Sequence, residues 1–229
     1  ECRVRAPTPH VSKFRHVPFE FSDDDRKRHY LARIEQTGRG RAQNVAAFMG
    51  ATFDAWKDYK STGRERVYVG YSPIVTVDAE KILNDLPQAV VLHVVRNPWS
   101  AYADTKKRPV PLALADYMLG WVVNQYHALL AKTRYPGRLH IVRLEDVVAD
   151  PTKALTEVCR SVGVELTESL RQPTWNGSPL QEIYPWGTIR TATPEANRQT
   201  ALALSGEERD EIRARTWQYL DVFGYKDFI

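Results

Sequence analysis

Hydrophobic residues in this chain follow two rhythms. In one they return every three or four positions, the spacing of a helix face. Tyr30, Leu31 and Ile34 do so after Ser22, a good helix N-cap, with Asp23, Asp24 and Asp25 complementing the first turn. "TGRGR" at 37–41 ends that helix. Val45, Phe48, Met49, Phe53 and Trp56 predict a second, and Asp78 caps a short one over 79–86. A long helix over 113–134 carries Leu114, Tyr117, Met118, Trp121, Val122 and Leu129 on its apolar face. Asp150, Pro151 and Gly163 mark the cap, first position and end of another. Ser205 and Glu208 form a capping-box signature for a last helix that stops before Gly224. In the other rhythm apolar residues run together. "AVVLHVV" (89–95) is short and β-branched, as in a strand buried on both faces of a parallel sheet. "RVYVGY" (66–71) and "RLHIVRL" (138–144) predict two further strands. Residues 1–21 and 164–200 show no sustained period and are expected to be mostly irregular.

Strands that alternate with helices give an α/β class with a mainly parallel sheet flanked by helices in three layers. No repeat or low-complexity segment breaks the 229 residues, so one domain is expected over 1–229. Hydrophobic content of 43% is ordinary for a globular chain that buries its own core. No apolar run approaches the ~18 residues of a membrane span. The 2 cysteines, Cys2 and Cys159, show neither disulfide nor metal spacing, which favours a reducing compartment and hence a cytoplasmic location. A net charge of +4 suits an anionic ligand and is too small to argue for nucleic acid.

The sharpest local feature is "VVLHVVRNPWSAYADTKKRP" (90–109). Arg96 ends a strand, Asn97 is a good N-cap, and Pro98 suits the first helical position. Ligands of open α/β sheets bind outside the carboxyl ends of the strands. A helix start offers unpaired N–H groups and a positive dipole end, so Arg96 with this turn is a candidate anion site, to which Ser100 adds a hydroxyl. The alternative from the same residues is a capped helix whose arginine pairs with a nearby carboxylate.

Two blocks, "YSPIVTVDAEKILNDLPQAVVLHVVRNPWSAYAD" and "LHIVRLEDVVADPTKALTEVCRSVGVEL", resemble in order and separation the middle and later blocks of bacterial sulfotransferases. The resemblance covers roughly 70–166. It implies a three-layer fold of the P-loop type and the co-substrate 3′-phosphoadenosine 5′-phosphosulfate. It also implies sulfuryl transfer to a hydroxyl or amine of a small-molecule or glycan acceptor. Arg96 matches the arginine that family members place on the 3′-phosphate. A planar, permanently charged fork suits that dianion.

The chain departs from the family in two places. The family's second 3′-phosphate ligand is a serine eight residues after the arginine, and this position is Asp104, with Lys107 and Arg108 three and four residues on as helix partners. Ser100 or Thr105 could supply the hydroxyl instead, Ser100 being preferred because it lies in the first turn. The family's first strand and phosphosulfate loop, a Lys or Arg followed by Ser-Gly-Thr-Thr, do not appear, nor does G-x-x-x-x-G-K-[ST]. "YKSTGRE" (59–65) lacks the glycines and is expected to be a helix end. The chain opens on Glu1, so the expectation is a domain truncated before that loop. The competing accounts are a non-catalytic nucleotide- or anion-binding relative and a P-loop small-molecule kinase.

In the late segment 175–194, Trp186 could stack on a base, Gly187 permits close approach, and Arg190 could reach a phosphate. Glu145 and Asp146 could suggest acid–base work, but the resemblance implies a structural role, with Glu145 buttressing the sheet end and Arg143 as its candidate partner. His93 is expected to be a satisfied core residue. The residues name no catalytic base. His16 and Glu20 are the only guesses, and the place of the cytosolic branch's Lys-Thr-His motif is taken by Tyr71, Ser72 and Pro73.

Overall fold

The computed structural model describes residues 19–108, 110–172, 174–179, 183–184, 187–188 and 193–229. The chain forms two compact units, one of Glu1–Gly70 with Thr174–Pro179, the other of Tyr71–Pro173 with Leu180–Ile229.

The first unit holds a helix pair, α1 (Asp23–Thr37) and α2 (Arg41–Asp54). Ser22 Oγ accepts from Asp25 N at 3.1 Å, as its cap chemistry demands. The buried positions are Ile34 of α1 and two alanines of α2, Ala47 and Ala51, while Val45 and Phe48 remain exposed. The apolar stripe expected for the second helix is therefore rotated. Small side chains let the two backbones approach, and the large ones stay at the margin. Phe53, Trp56, Tyr59 and Tyr68 cluster at the end of α2. The stretch 59–65 is a loop closed by Glu65, which accepts from Thr62 N at 2.6 Å and Thr62 Oγ1 at 3.0 Å. It lies beyond the end of α2 at Asp54 rather than forming a helix end.

In the second unit, β1 (Val91–Val95) pairs in parallel with β2 (Leu139–Arg143), from Val91↔Leu139 to Val95↔Arg143. The crossover between them carries α4 (Pro98–Lys106) and α5 (Leu114–Arg134). A 3₁₀ turn at Val75–Asp78 and α3 (Ala79–Asp85) precede β1. After β2 come α6 (Leu144–Ala149), α7 (Pro151–Val162), α8 (Pro194–Leu202) and α9 (Gly206–Val222). Asp150 Oδ1 accepts from Lys153 N, and Gly163 ends α7 at φ +67°, a backbone state that glycine adopts without strain. Ser205 and Glu208 form both hydrogen bonds of the capping box. The core gathers Val95, Trp99, Tyr102, Met118, Trp121, Ile212, Tyr219, Leu220, Phe223 and Tyr225.

The structure corrects three expectations. Residues 66–71 form no strand: Val69 and Tyr71 are 85% and 89% exposed, and a strand without a partner leaves its N–H and C=O groups unpaired. β1 is not buried on both faces, because Val91, His93 and Val95 face the core while Val94 on the opposite face is 48% exposed. Residues 164–200 are less irregular than expected. Thr193 Oγ1 caps α8 by accepting from Ala196 N, and two short hairpins, Thr174–Trp175 with Ser178–Pro179 and Ile183–Tyr184 with Gly187–Thr188, precede it. No described helix is long and apolar enough to cross a membrane.

Candidate functional site

The site grows from the turn between β1 and α4. Asn97 Oδ1 accepts from Ser100 N at 2.8 Å and Pro98 opens the helix, so the strand-to-helix reversal is set by adjacent residues. Almost all of α4 is buried. Trp99 Nε1 donates to the Arg209 carbonyl of α9 at 3.0 Å, and its ring stacks on Phe228 with centroids 6.3 Å apart. Trp121 Nε1 of α5 donates to the carbonyl of Arg96 at 3.1 Å.

Beneath the turn lies Glu145, in the first turn of α6 and buried. Its Oε1 accepts from Asn97 N (3.1 Å), Asn97 Nδ2 (2.6 Å) and Asn197 Nδ2 (2.7 Å). Its Oε2 accepts from the Tyr225 hydroxyl at 2.6 Å. Gly224, at φ +66°, turns the chain after α9 so that Tyr225 reaches this point, where its hydroxyl also lies 3.3 Å from the Val95 carbonyl oxygen. Burial and the Glu145 carboxyl beside it push the Tyr225 phenol far up. Glu145 therefore does buttress the strand end, but through neutral donors. Arg143, its expected partner, places its guanidinium 4.8 Å over the Tyr225 ring and 3.9 Å from Asp146.

Arg96 leaves this turn toward the surface. Its Nε donates to Asn197 Oδ1 at 2.8 Å, and its Nη1 meets Asp104 Oδ2 at 2.5 Å. Both side chains of that ion pair are part-exposed, at 24% and 26%. Lys107 Nζ stands 3.7 Å from Asp104 Oδ1. Asp104 thus takes Arg96 as well as the expected helix neighbour Lys107. Burial raises the Tyr117 phenol, while the Thr105 hydroxyl and the guanidiniums of Arg108 and Arg96 pull it the other way, which places Tyr117 against the same group of charges. Arg96 and Lys107 thus flank Asp104 with a cation on each side.

The remaining candidates fall in several places. Ser100 is fully buried and its hydroxyl donates to the Asn197 carbonyl at 2.6 Å. Thr105 is buried and donates to the Ala101 carbonyl at 3.0 Å. Gly187 pairs through its backbone with Tyr184. Trp186, Arg190 and His16 lie outside the described residues. Glu20 sits in the first unit, where its N–H donates to Asp58 and its carbonyl accepts from Lys57. His93 is buried with Nε2 2.7 Å from Gln125 Oε1, and burial lowers its pKa, with the Gln125 bond opposing. No local pattern pointed to Asn197 or Tyr225. Asn197 lies 101 residues from Arg96, and Tyr225 lies 80 from Glu145, beyond any local pattern.

Residues 7–168 match the model of a family described as "Sulfotransferase family". Among solved structures, the sulfotransferase domain from the curacin biosynthetic pathway is similar at 15% identity, over 90% of this chain and 83% of that one, with a TM-score of 0.47. No curated protein matches the chain.

Proposed function

Because the chain belongs to the sulfotransferase family, we propose that the Arg96 cluster holds the 3′-phosphate of 3′-phosphoadenosine 5′-phosphosulfate, for sulfuryl transfer to a hydroxyl or amine. The observation that carries this reading is Arg96 itself. It stands part-exposed at the carboxyl end of a parallel strand, oriented by the part-buried Asn197. The donor set suits the group: the Arg96 guanidinium fork gives a phosphate dianion directed hydrogen bonds, and Lys107 stands ready on the far side of Asp104 to take up that carboxylate. Arg96 would hold the phosphate. The bound nucleotide would supply the sulfuryl group. Ser100 and Thr105 shape α4 from beneath and do not face the ligand.

A second reading, a relative that binds the nucleotide or an anion without transferring anything, is favoured by one observation: a carboxyl group already sits on Arg96.

Calorimetry with adenosine 3′,5′-bisphosphate and adenosine 5′-monophosphate tests the phosphate role. The full chain should prefer the bisphosphate. Arg96→Ala should lose most of that preference, on the order of 2–5 kcal/mol, or roughly 30-fold to several-thousand-fold in affinity. Arg96→Lys should recover part of it, because an ammonium cannot make the two-pronged contact. An unchanged preference in Arg96→Ala would reduce Arg96 to an ion-pair partner. Incubating the bisphosphate-binding chain with the sulfated nucleotide and a panel of phenols and amines then separates the two readings by whether sulfated product forms.

A further inference from the structure

The two edges of Arg96 are held in different ways. The Nε edge belongs to a part-buried network tied to buried groups: Asn197 Oδ1 accepts from it, Asn197 Nδ2 donates to Glu145, and the Asn197 carbonyl accepts from Ser100. Moving that edge would take from Asn197 the donor that completes this network. Among the described residues the Nη1 edge meets Asp104 alone, in a part-exposed pair. Such a pair contributes little net, so opening it costs little. Lys107, at the end of α4 and three residues after Asp104, lies 3.7 Å from the other carboxyl oxygen, on the same helix face.

We propose that Asp104 is a placeholder anion that sets the threshold for a phosphate at Arg96. It fills the place of the ligand's phosphate on Arg96. A phosphate dianion displaces it, Asp104 turns to Lys107, and Arg96 stays anchored by Asn197. A dianion brings a second charge and a further oxygen to the same fork, which lets it take the place of a carboxylate. Asp104 thereby raises the threshold for entry of the phosphate. The inference rests on the reading of Arg96 as a phosphate ligand.

The test uses the full chain with adenosine 3′,5′-bisphosphate and adenosine 5′-monophosphate as probes. Asp104→Asn, nearly isosteric, should bind the bisphosphate about tenfold more tightly than the parent, since like charges brought together cost several kcal/mol and only part of that is relieved by the turn to Lys107. Affinity for the monophosphate should stay the same. Lys107→Ala should weaken bisphosphate binding in the parent and have little effect once Asp104 is Asn, because Lys107 acts by receiving Asp104. Bisphosphate binding that depends on Arg96 but does not tighten in Asp104→Asn overturns the placeholder and leaves the phosphate reading standing. A Lys107→Ala loss that persists in the Asp104→Asn background overturns the hand-over. If neither the parent nor Asp104→Asn binds the bisphosphate, the phosphate reading itself fails and the placeholder with it.

Discussion

Glu145 and Asp104 serve the same strand-to-helix turn in opposite environments. Glu145 lies beneath it, buried, with four hydrogen bonds from Asn97, Asn197 and Tyr225, none of these donors being charged. Asp104 lies beside it, part-exposed, between Arg96 and Lys107. A buried acid held by many neutral donors cannot give one up without leaving others unpaired, so it fixes geometry. A half-solvated acid between two cations exchanges partners cheaply. Of the two, only Asp104 can yield its place to a ligand, and only Glu145 can hold the place steady. Asn197 joins them, donating to Glu145 with one side-chain atom and accepting from Arg96 with the other.

The largest expected effect breaks the comparison from the buried side. Glu145→Ala leaves the donors of Asn97, Asn197 and Tyr225 without their acceptor in a dry site. It should cost ~3–5 kcal/mol of stability, the range for removing one partner of a buried polar network. Asp104→Ala should cost no more than ~1 kcal/mol. Urea denaturation of the two variants reads this directly, and equal midpoints would erase the distinction between the two acids. Glu145→Gln should fall in between, because an amide keeps the oxygen that faces Asn97 and Asn197.

That asymmetry also explains what the sequence could convey. The caps at Ser22, Asp150 and Ser205 formed as their residues dictate, each hydrogen bond spanning three residues, whereas Asp78, expected to cap the helix at 79, makes no side-chain cap bond because a 3₁₀ turn leads into that helix. The turn at Arg96, Asn97 and Pro98 formed too, and the α/β class followed from the alternation of strands with helices. The strand expected at 66–71 did not form. A strand is completed by a neighbour that no local pattern supplies, whereas β1 and β2 found each other in register. Asp104 shows the same limit at short range. Helix spacing pointed to Lys107 and Arg108, and the partner it missed, Arg96, lies eight residues back across the reversal from strand to helix. The second helix buried its alanines because close approach of α1 and α2 outranks the burial of large side chains at the margin.

Ser100 sharpens the comparison at a smaller scale. By sequence it was the preferred hydroxyl for a phosphate, yet its burial puts it on the side of Glu145. Ser100→Ala should therefore cost ~1 kcal/mol of stability, a typical hydrogen bond, and leave bisphosphate affinity within about twofold. A variant as stable as the parent but several-fold weaker in binding would move Ser100 to the exchangeable side with Asp104.

The smallest effect concerns charge in the same dry interior. His93, on the buried face of β1, has Gln125 as its polar partner among the described residues, and burial lowers its pKa below the ordinary value. Unfolding restores a value near ~6.5. Below that pH the unfolded chain takes up a proton that the folded chain refuses, so stability is full above about 6.5 and declines as pH falls toward the folded value. The slope from this residue cannot exceed about 1.4 kcal/mol per pH unit. His140 is shifted in the same direction by burial and by Lys132, so it adds to the decline. Urea midpoints between pH 8 and 5 should thus fall for the parent, and His93→Gln, which cannot titrate, should show a shallower fall with the His140 part remaining. Parallel pH profiles for parent and variant would mean that His93 accepts its proton in the folded chain. The interior beneath the turn would then tolerate charge, and the contrast between a fixed Glu145 and an exchangeable Asp104 would have to rest on hydrogen bonding alone.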